Sequence, residues 1–404
     1  MIPFSPPKIY QELIDEVVDT LKSGWITTGP KTKLFEKKLT EFNGNKSTLC
    51  LNSATAGLEI MLRWFGVKEG DEVIIPVYTY CATANVVLHC GATPIFVDVN
   101  EDFNISIENI KSAITSKTKV VMPVDFAGYP CDYNTINELV NDQDIINLFV
   151  PASENQEKLG RIMVLSDAAH SLGAFYKGKR TGSLTDVSVF SFHAVKNLTT
   201  SEGGAVALNL PEPFDNDEVY NYLCVKTLHG QNKDALAKSK VGAWRYDVIE
   251  AGYKANMTDL QASMGLVELR KYQEETLNRR KEIFDTYSKT FNAFDWAQLP
   301  TYNENGIETS YHLYPLRIKN ISEQQRDEII NLIFQKEVSV NVHFQPLPML
   351  SFYKKLGYNI DDYPIAFDNY TREISLPVYF DLTNNQLEII INAVIESVEQ
   401  VINA

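Results

Sequence analysis

Apolar residues recur at every fourth position near the start of the chain: Ile9, Leu13, Val17 and Leu21, with Gly24 behind them. That spacing predicts an amphipathic helix stopped by a glycine. Seven short runs follow that are apolar at most positions: TLCLN (48–52), EVIIP (72–76), TPIFVDV (93–99), KVVMPVDF (119–126), RIMVLSD (161–167), VSVFSF (187–192) and AVALNL (205–210). Strands covered on both faces need such continuous runs, whereas a half-exposed strand alternates. Helical patterns separate the runs, and this rhythm predicts a mostly parallel seven-stranded sheet packed between helices.

The texture changes beyond about residue 255. Residues 258–291 read as one or two long helices rich in Leu, Glu, Lys and Arg. A strand (311–318), a helix (322–337), a strand (338–344) and a last helix follow. That last helix opens on a capping box, Thr383 with Gln386, and carries Leu387, Ile391, Val394 and Val398 on one face. The pattern predicts a large domain over 1–257 and a smaller C-terminal α/β domain over 258–404. The stretch 141–160 carries a polar end and reads as an irregular surface insertion.

Composition narrows the partners. The 404 residues include 37 Lys and Arg against 52 Asp and Glu, a net charge of −15. Phosphate-backbone binding depends on Lys and Arg, so nucleic acid is not the expected partner. The five cysteines are odd in number and scattered, without a Cys-x-x-Cys pair, which predicts reduced thiols and a cytoplasmic location. No apolar run approaches a membrane span, and the opening MIPFSPPKIY lacks the apolar core of a secretory leader.

Several short stretches carry candidate chemistry. Ser53-Ala54-Thr55 lies where a strand gives way to a helix, and the unpaired N–H groups of a helix start attract anions. Serving only as a cap is the plainer role for Ser53. GAFYKGKR (173–180) nearly matches a phosphate-binding loop, but Arg180 stands where Ser or Thr would hold magnesium. It reads instead as a turn between two short strands. No G-x-G-x-x-G occurs. Asp167 ends an apolar strand and faces the crevice where α/β sheets bind ligands, unless it merely caps a helix. A metal at Asp167 and His170 lacks a third ligand at suitable spacing, so no metal site is expected. Tyr78 and Tyr80 follow a strand at the same sheet edge. Lys196, in SFHAVKNLTTSEGGAVAL (191–208), has no carboxylate beside it in sequence. An anion cradle, a ring for stacking, a carboxylate and a lysine are the groups that pyridoxal phosphate requires.

With these residues in view, the chain resembles the DegT/DnrJ-type sugar aminotransferases, pyridoxal-phosphate enzymes of fold type I. The resemblance rests on NSATAGLEIML, DAAHSLGAFYKGKRTGS, FSFHAVKNLTTSEGGAV and GYKANMTDLQASMG, and extends from SGWITTGP (23–30) almost to the end. Within the family the wording is closest to the enzyme that makes a 4-amino-4-deoxyarabinose nucleotide.

The resemblance implies roles residue by residue. Lys196 bonds covalently to the cofactor and Asp167 pairs with its ring nitrogen. Tyr80 stacks on the ring, and His170 lies near the phenolic oxygen. Ala54, Thr55 and Ser191 hold the phosphate. Asn256 reaches it from a neighbouring subunit, which implies a homodimer with shared sites. Trp25, Thr28, His193 and His343 hold a sugar nucleotide, with His343 and main-chain N–H groups as hydrogen-bond donors. The implied reaction moves an amino group from glutamate to a keto sugar nucleotide, first a 4-keto and second a 3-keto sugar. A sugar dehydratase and a cofactor-free regulatory protein are the alternatives. The chain departs from the family pattern at Pro348, where a second histidine is usual, at Ser166, in the insertion at 146–160 and at Phe380. The Pro348 departure is expected to alter the substrate pocket.

Overall fold

The computed structural model describes residues 1–233 and 245–403. Its centre is a seven-stranded sheet made of the seven apolar runs. They form β1 (Ser47–Leu51), β2 (Glu72–Pro76), β3 (Thr93–Val97), β4 (Thr118–Val121), β5 (Met163–Asp167), β6 (Val187–Ser191) and β7 (Gly204–Leu208). Their order is β1-β7-β6-β5-β4-β2-β3. Pairings from β6 through β3 are parallel, and β7 alone runs against its neighbours. All five residues of β5 and of β7 are buried, as runs covered on both faces should be.

The helices that matter for the site pack on both faces. Helix α1 (Gln11–Ser23) stops at Gly24 in the left-handed region, as expected. Of its predicted stripe only Leu13 and Val17 face inward, with Tyr10 and Val267; Ile9 and Leu21 are exposed. A strict four-residue step drifts around a helix of 3.6 residues per turn, so its two ends leave the core face. Helix α2 (Pro30–Asn43) packs on α5 (Asp259–Lys271) through Phe35, whose ring would lie 2.4 Å from a Cβ at Gly265. Helices α3 (Ala54–Trp64) and α4 (Cys81–His89) cover the opposite face. At Gly57 a Cβ would come within 2.9 Å of Val189 and 3.0 Å of Val206, so α3 lies directly on β6 and β7.

A second core gathers Ile2 with residues between Ile283 and Val401. Its sheet holds β8 (Ala297–Gln298), β9 (Tyr314–Ile318) and β10 (Glu373–Leu376), all antiparallel. Against it pack α6 (Asn278–Phe291), α7 (Glu323–Gln335) and α8 (Asn384–Ile402). The Thr383–Gln386 capping box forms, and the predicted apolar face of α8 is buried. A π-helical turn, Tyr272–Leu277, links α5 to α6.

Three expectations need correction. The run 338–344 is no strand: it is extended but makes only single bridges, Val338 to Ile2 and Asn341 to Ser375. The stretch 141–160 is not irregular, because Gln143–Leu148 and Glu154–Leu159 are helical. It is also anchored: the buried Gln156 donates to the Phe65 carbonyl at 3.0 Å, as does Ser153 at 2.8 Å. The strand expected at 311–318 begins only at Tyr314. The turn in GAFYKGKR matches its reading, with Phe175–Tyr176 paired antiparallel to Lys179–Arg180.

Candidate active site

The carboxyl ends of β5 and β6 and the starts of α3 and α4 meet around a cavity of about 430 Å³. This is the side on which open α/β sheets place ligands. Lys196 lines it from a loop that leaves and rejoins the sheet at Phe192: Thr200 N–H donates to the Phe192 carbonyl at 2.9 Å. Buried Phe192 and Leu198 anchor that loop. Among the described residues the half-buried Lys196 amine makes no hydrogen bond or ion pair. Burial pulls it down to about 8, against the upward pull of Asp167. Roughly a tenth of such amines are neutral at pH 7, far more than for an ordinary lysine.

Asp167 ends β5, buried, and its Oδ2 accepts from Thr83 Oγ1 at 2.8 Å. Burial raises its pKa, while the hydrogen bonds from Thr83 and Ala169 N–H and the charge of Lys196 pull it back. It does not cap a helix, since residues 169–173 form turns. Ser166 points into a different network. Its hydroxyl meets Tyr133 at 2.6 Å, and Tyr133 donates to the buried Asp125 at 2.6 Å. Ser166 therefore braces the strand behind Asp167.

His170 is buried with its Nδ1 unpartnered. Burial, Lys196 and His343 hold the ring well below the usual histidine range, so it is neutral. It packs 4.3 Å from His312, a cavity-lining residue that the sequence reading missed. His312 Nδ1 lies 2.8 Å from Asn197 Oδ1, and the Asn197 amide donates to the Ser310 carbonyl at 2.7 Å. Only the position of Asn197 directly after Lys196 hinted at this pair.

At the other end, Ser53 caps α3 by accepting from Ala56 N–H at 3.1 Å. Ala54, Thr55, Ser191 and Gly203 line the cavity around that helix start. A Cβ on Gly204 would sit 2.4 Å from the Ala54 nitrogen, so only glycine lets β7 run this close beneath α3. Tyr80, 60% exposed at the N-cap of α4, presents its ring to the same space and tilts on Phe344 at 6.0 Å. His193 stands at the rim, 3.7 Å from Glu202. His343 forms the far wall, stacked on Phe4 at 5.4 Å, and burial and Lys196 hold it down at about 4. Phe4 itself was not anticipated.

Three expected residues lie away from this cavity. Asn256 donates to Thr28 Oγ1 at 2.6 Å, Thr28 donates to the Met257 carbonyl, and Trp25 Nε1 donates to the Thr28 carbonyl at 3.2 Å. They form one cluster, but none of them lines the pocket of its own chain. Pro348 does not line it either; it is buried in the turn Leu347–Met349, so the expected change in the pocket has no contact behind it. Phe380 packs against Tyr10 and Lys8.

The sequence pattern of the DegT/DnrJ/EryC1/StrS aminotransferase family matches residues 7–395. The chain belongs to this family. The aminotransferase is 44% identical to Spr1654 of Streptococcus pneumoniae, assigned as a sugar aminotransferase and solved in its PMP form. The TM-score is 0.95, over 99% of this chain and 100% of that one. The PLP form of the same protein superposes at 0.94 over 99% of each chain, with 42% identity. Bacillus subtilis SpsC, a spore coat polysaccharide biosynthesis protein, is 36% identical over 398 residues, 97% of this chain and 96% of its own length. Helicobacter pylori PseC, an aminotransferase involved in pseudoaminic acid biosynthesis, superposes at 0.85 with 27% identity over 99% of each chain.

The aminotransferase uses pyridoxal 5′-phosphate, and the cavity suits it on its own terms. An unpartnered amine, a buried carboxylate, a buried ring nitrogen without a partner and a glycine-floored helix start converge there. Among the described residues no helix is long and apolar enough to cross a membrane.

Proposed function

We propose that this aminotransferase transfers the amino group of glutamate to a 4-keto sugar nucleotide, supplying an amino sugar for a cell-surface polysaccharide. The observation that carries the transfer chemistry is the unpaired Lys196 amine facing one cavity with buried Asp167. The sugar class draws its support from SpsC, named for spore coat polysaccharide biosynthesis, and from PseC, named for pseudoaminic acid biosynthesis.

Bound pyridoxal phosphate supplies an electron sink for breaking the C–H bond beside the transferred nitrogen. The side chains divide the rest. Ala54 and Thr55 N–H groups and the Ser191 hydroxyl hold the phosphate. Asp167 holds a proton at the ring nitrogen, and the Tyr80 ring covers one face. Lys196 Nζ removes the proton from the glutamate Cα and returns one to the former keto carbon. That duty needs a neutral amine, which a fully hydrated lysine seldom offers near pH 7. His193 and His343 face the substrate end.

The protein acts as a cytoplasmic homodimer in this reading. Trp25, Thr28 and Asn256 do not line their own cavity and serve the partner's. The exposed apolar residues Ile14, Val18, Leu21 and Ile26 beside that cluster support a covered face.

The test is a panel assay with glutamate as donor. UDP- and dTDP-linked 4-keto-6-deoxy sugars, a UDP-4-keto-pentose and 3-keto counterparts are offered, and 2-oxoglutarate and the amino sugar are measured by mass. The 4-keto compounds should react. Preference for a 3-keto sugar would move the carbon assignment, and efficient use of free keto acids with none of the nucleotides would overturn the substrate class.

A further inference from the structure

Behind the cavity wall, Glu373 and Ser375 sit two residues apart on β10, which places both side chains on one face of the strand. Backbone bonds between Ser375 and Asn341, at 2.8 and 3.2 Å, draw the segment before His343 alongside. His343 N–H donates to Glu373 Oε2 at 3.0 Å. His343 Nδ1 lies 2.9 Å from Ser375 Oγ, and that hydroxyl is in turn hydrogen-bonded to Glu373 Oε1. The second ring nitrogen, Nε2, belongs to a residue that lines the cavity, and among the described residues its one hydrogen-bond neighbour is Asn341 Nδ2 at 3.5 Å. Phe4 stacks on the ring and Phe344 meets it edge-on at 5.2 Å, so packing resists a flip.

Proton counting then couples the two ends. Glu373 Oε2 is occupied as the acceptor of a backbone N–H, so a proton on this carboxyl resides on Oε1. Ser375 has one hydrogen to give. If Glu373 is charged, Ser375 donates to it and accepts from Nδ1–H, which leaves Nε2 bare. If Glu373 is protonated, it donates to Ser375, Ser375 donates to Nδ1, and the ring proton sits on Nε2.

We propose that Glu373 and Ser375 are positioning residues that set the direction of hydrogen bonding at the cavity-facing Nε2 of His343: it donates when Glu373 carries a proton and accepts when Glu373 does not. The donor form suits a phosphate or carbonyl oxygen, and the acceptor form an O–H or N–H group. Its use on a nucleotide substrate rests on the function proposed above, whereas the relay itself does not.

The surroundings leave Glu373 free to titrate in a useful range. Burial raises it to about 8, against Ser375, the His343 N–H, Arg326 and Arg317. Neither arginine reaches its carboxylate. Arg326, on α7, donates to the Glu373 and Tyr370 carbonyls and to Asp327. Arg317, across the strand pair, bonds Asn369. Tyr78 donates to the His343 carbonyl at 2.8 Å. Lys196 and burial keep the imidazole neutral throughout, while Lys196 itself titrates near the same pH.

The test is nitrogen NMR of the full-length protein with ¹⁵N-histidine, from about pH 6 to about pH 9.5. The His343 signals are assigned by their loss in His343→Gln. The ring should change from the Nε2–H to the Nδ1–H tautomer as Glu373 ionises. Glu373→Gln cannot ionise, and its amide donates toward Ser375, so Nε2–H should persist at every pH. Ser375→Ala should abolish the switch. One unchanging wild-type tautomer overturns the relay. So does a Glu373→Gln protein that still switches, since Lys196 would then be the cause. In the assay, the wild-type KM for the nucleotide should rise about tenfold above pH 8, the loss of one hydrogen bond, and lose that rise in Glu373→Gln. A clean tautomer change with a flat KM in both proteins would refute the role in substrate binding and leave the relay standing.

Discussion

Lys196 is a cost to the cofactor-free fold. Its amine is desolvated without an ion pair, and burial lowers it to about 8 despite the opposing pull of Asp167. A lysine lowered in the fold binds protons less well than in the unfolded chain, so the folded state is penalised below about pH 8. The penalty is relieved as pH rises toward the unfolded value of roughly 10.5. Lys196→Met, of similar length and uncharged, should therefore raise the melting temperature of cofactor-free protein by a few degrees at about pH 7. The gain should shrink to nothing by about pH 10.5. Calorimetry at both pH values checks this, and a variant that melts lower at neutral pH would show the ammonium to be satisfied. The same variant should leave no cofactor attached after borohydride reduction, as read by intact mass. The proposed function accounts for this residue: a lysine comfortably ion-paired could not serve as a base.

The start of α3 and the start of β7 act as one element pair. Gly204→Ala would drive a Cβ to 2.4 Å from the Ala54 nitrogen and 2.5 Å from the Ser53 carbonyl carbon, atoms of the backbone that cannot swing aside. The variant should lose about 1–3 kcal/mol of stability. Displacing this turn, the proposed phosphate site, should also weaken cofactor affinity at least tenfold, measured by absorbance titration beside a melting curve. Unchanged affinity would show that the phosphate is held elsewhere. At this scale the sequence was informative where a single periodicity governed. The seven sheet strands and α8 bury nearly every residue of an apolar run or stripe, and no distant partner is needed to see that. The run VSVNVHF fails the same test because alternation describes an extended chain and does not supply a neighbouring strand; single bridges are all it finds. Helices at 143–159 were missed because their anchor is Gln156 against the end of α3, a contact between stretches far apart in sequence. The site divides in the same way. Asp167 ends a strand, Ala54 and Thr55 start a helix, and Lys196 sits in the loop after a strand, all of which local pattern reveals. His312, Phe4, Glu373 and Ser375 acquire meaning only from Asn197 and His343, which the fold brings to them.

For the whole molecule the sharpest prediction concerns assembly. Asn256 and Lys196 lie in one chain, yet only Lys196 lines that chain's cavity. If two copies exchange these contributions, Asn256→Ala and Lys196→Ala damage different halves of one pocket. Mixed dimers of the two inactive variants should regain about a quarter of wild-type activity per site, given random exchange and one intact pocket in each hybrid. No recovery where exchange is shown by mass would place Asn256 outside the site. The N-terminal stretch bears on how the wall is assembled in time. Ile2 bridges to Val338 and packs in the second core, and Phe4 stacks on His343. Translation delivers Ile2 and Phe4 long before their partners Val338 and His343. The sheet can condense on the ribosome as its strands emerge, but this wall of the cavity must wait for residues 338–343. A nascent chain stalled before residue 338 would thus be a sheet with an open cleft, holding an apolar leader for which no dock yet exists.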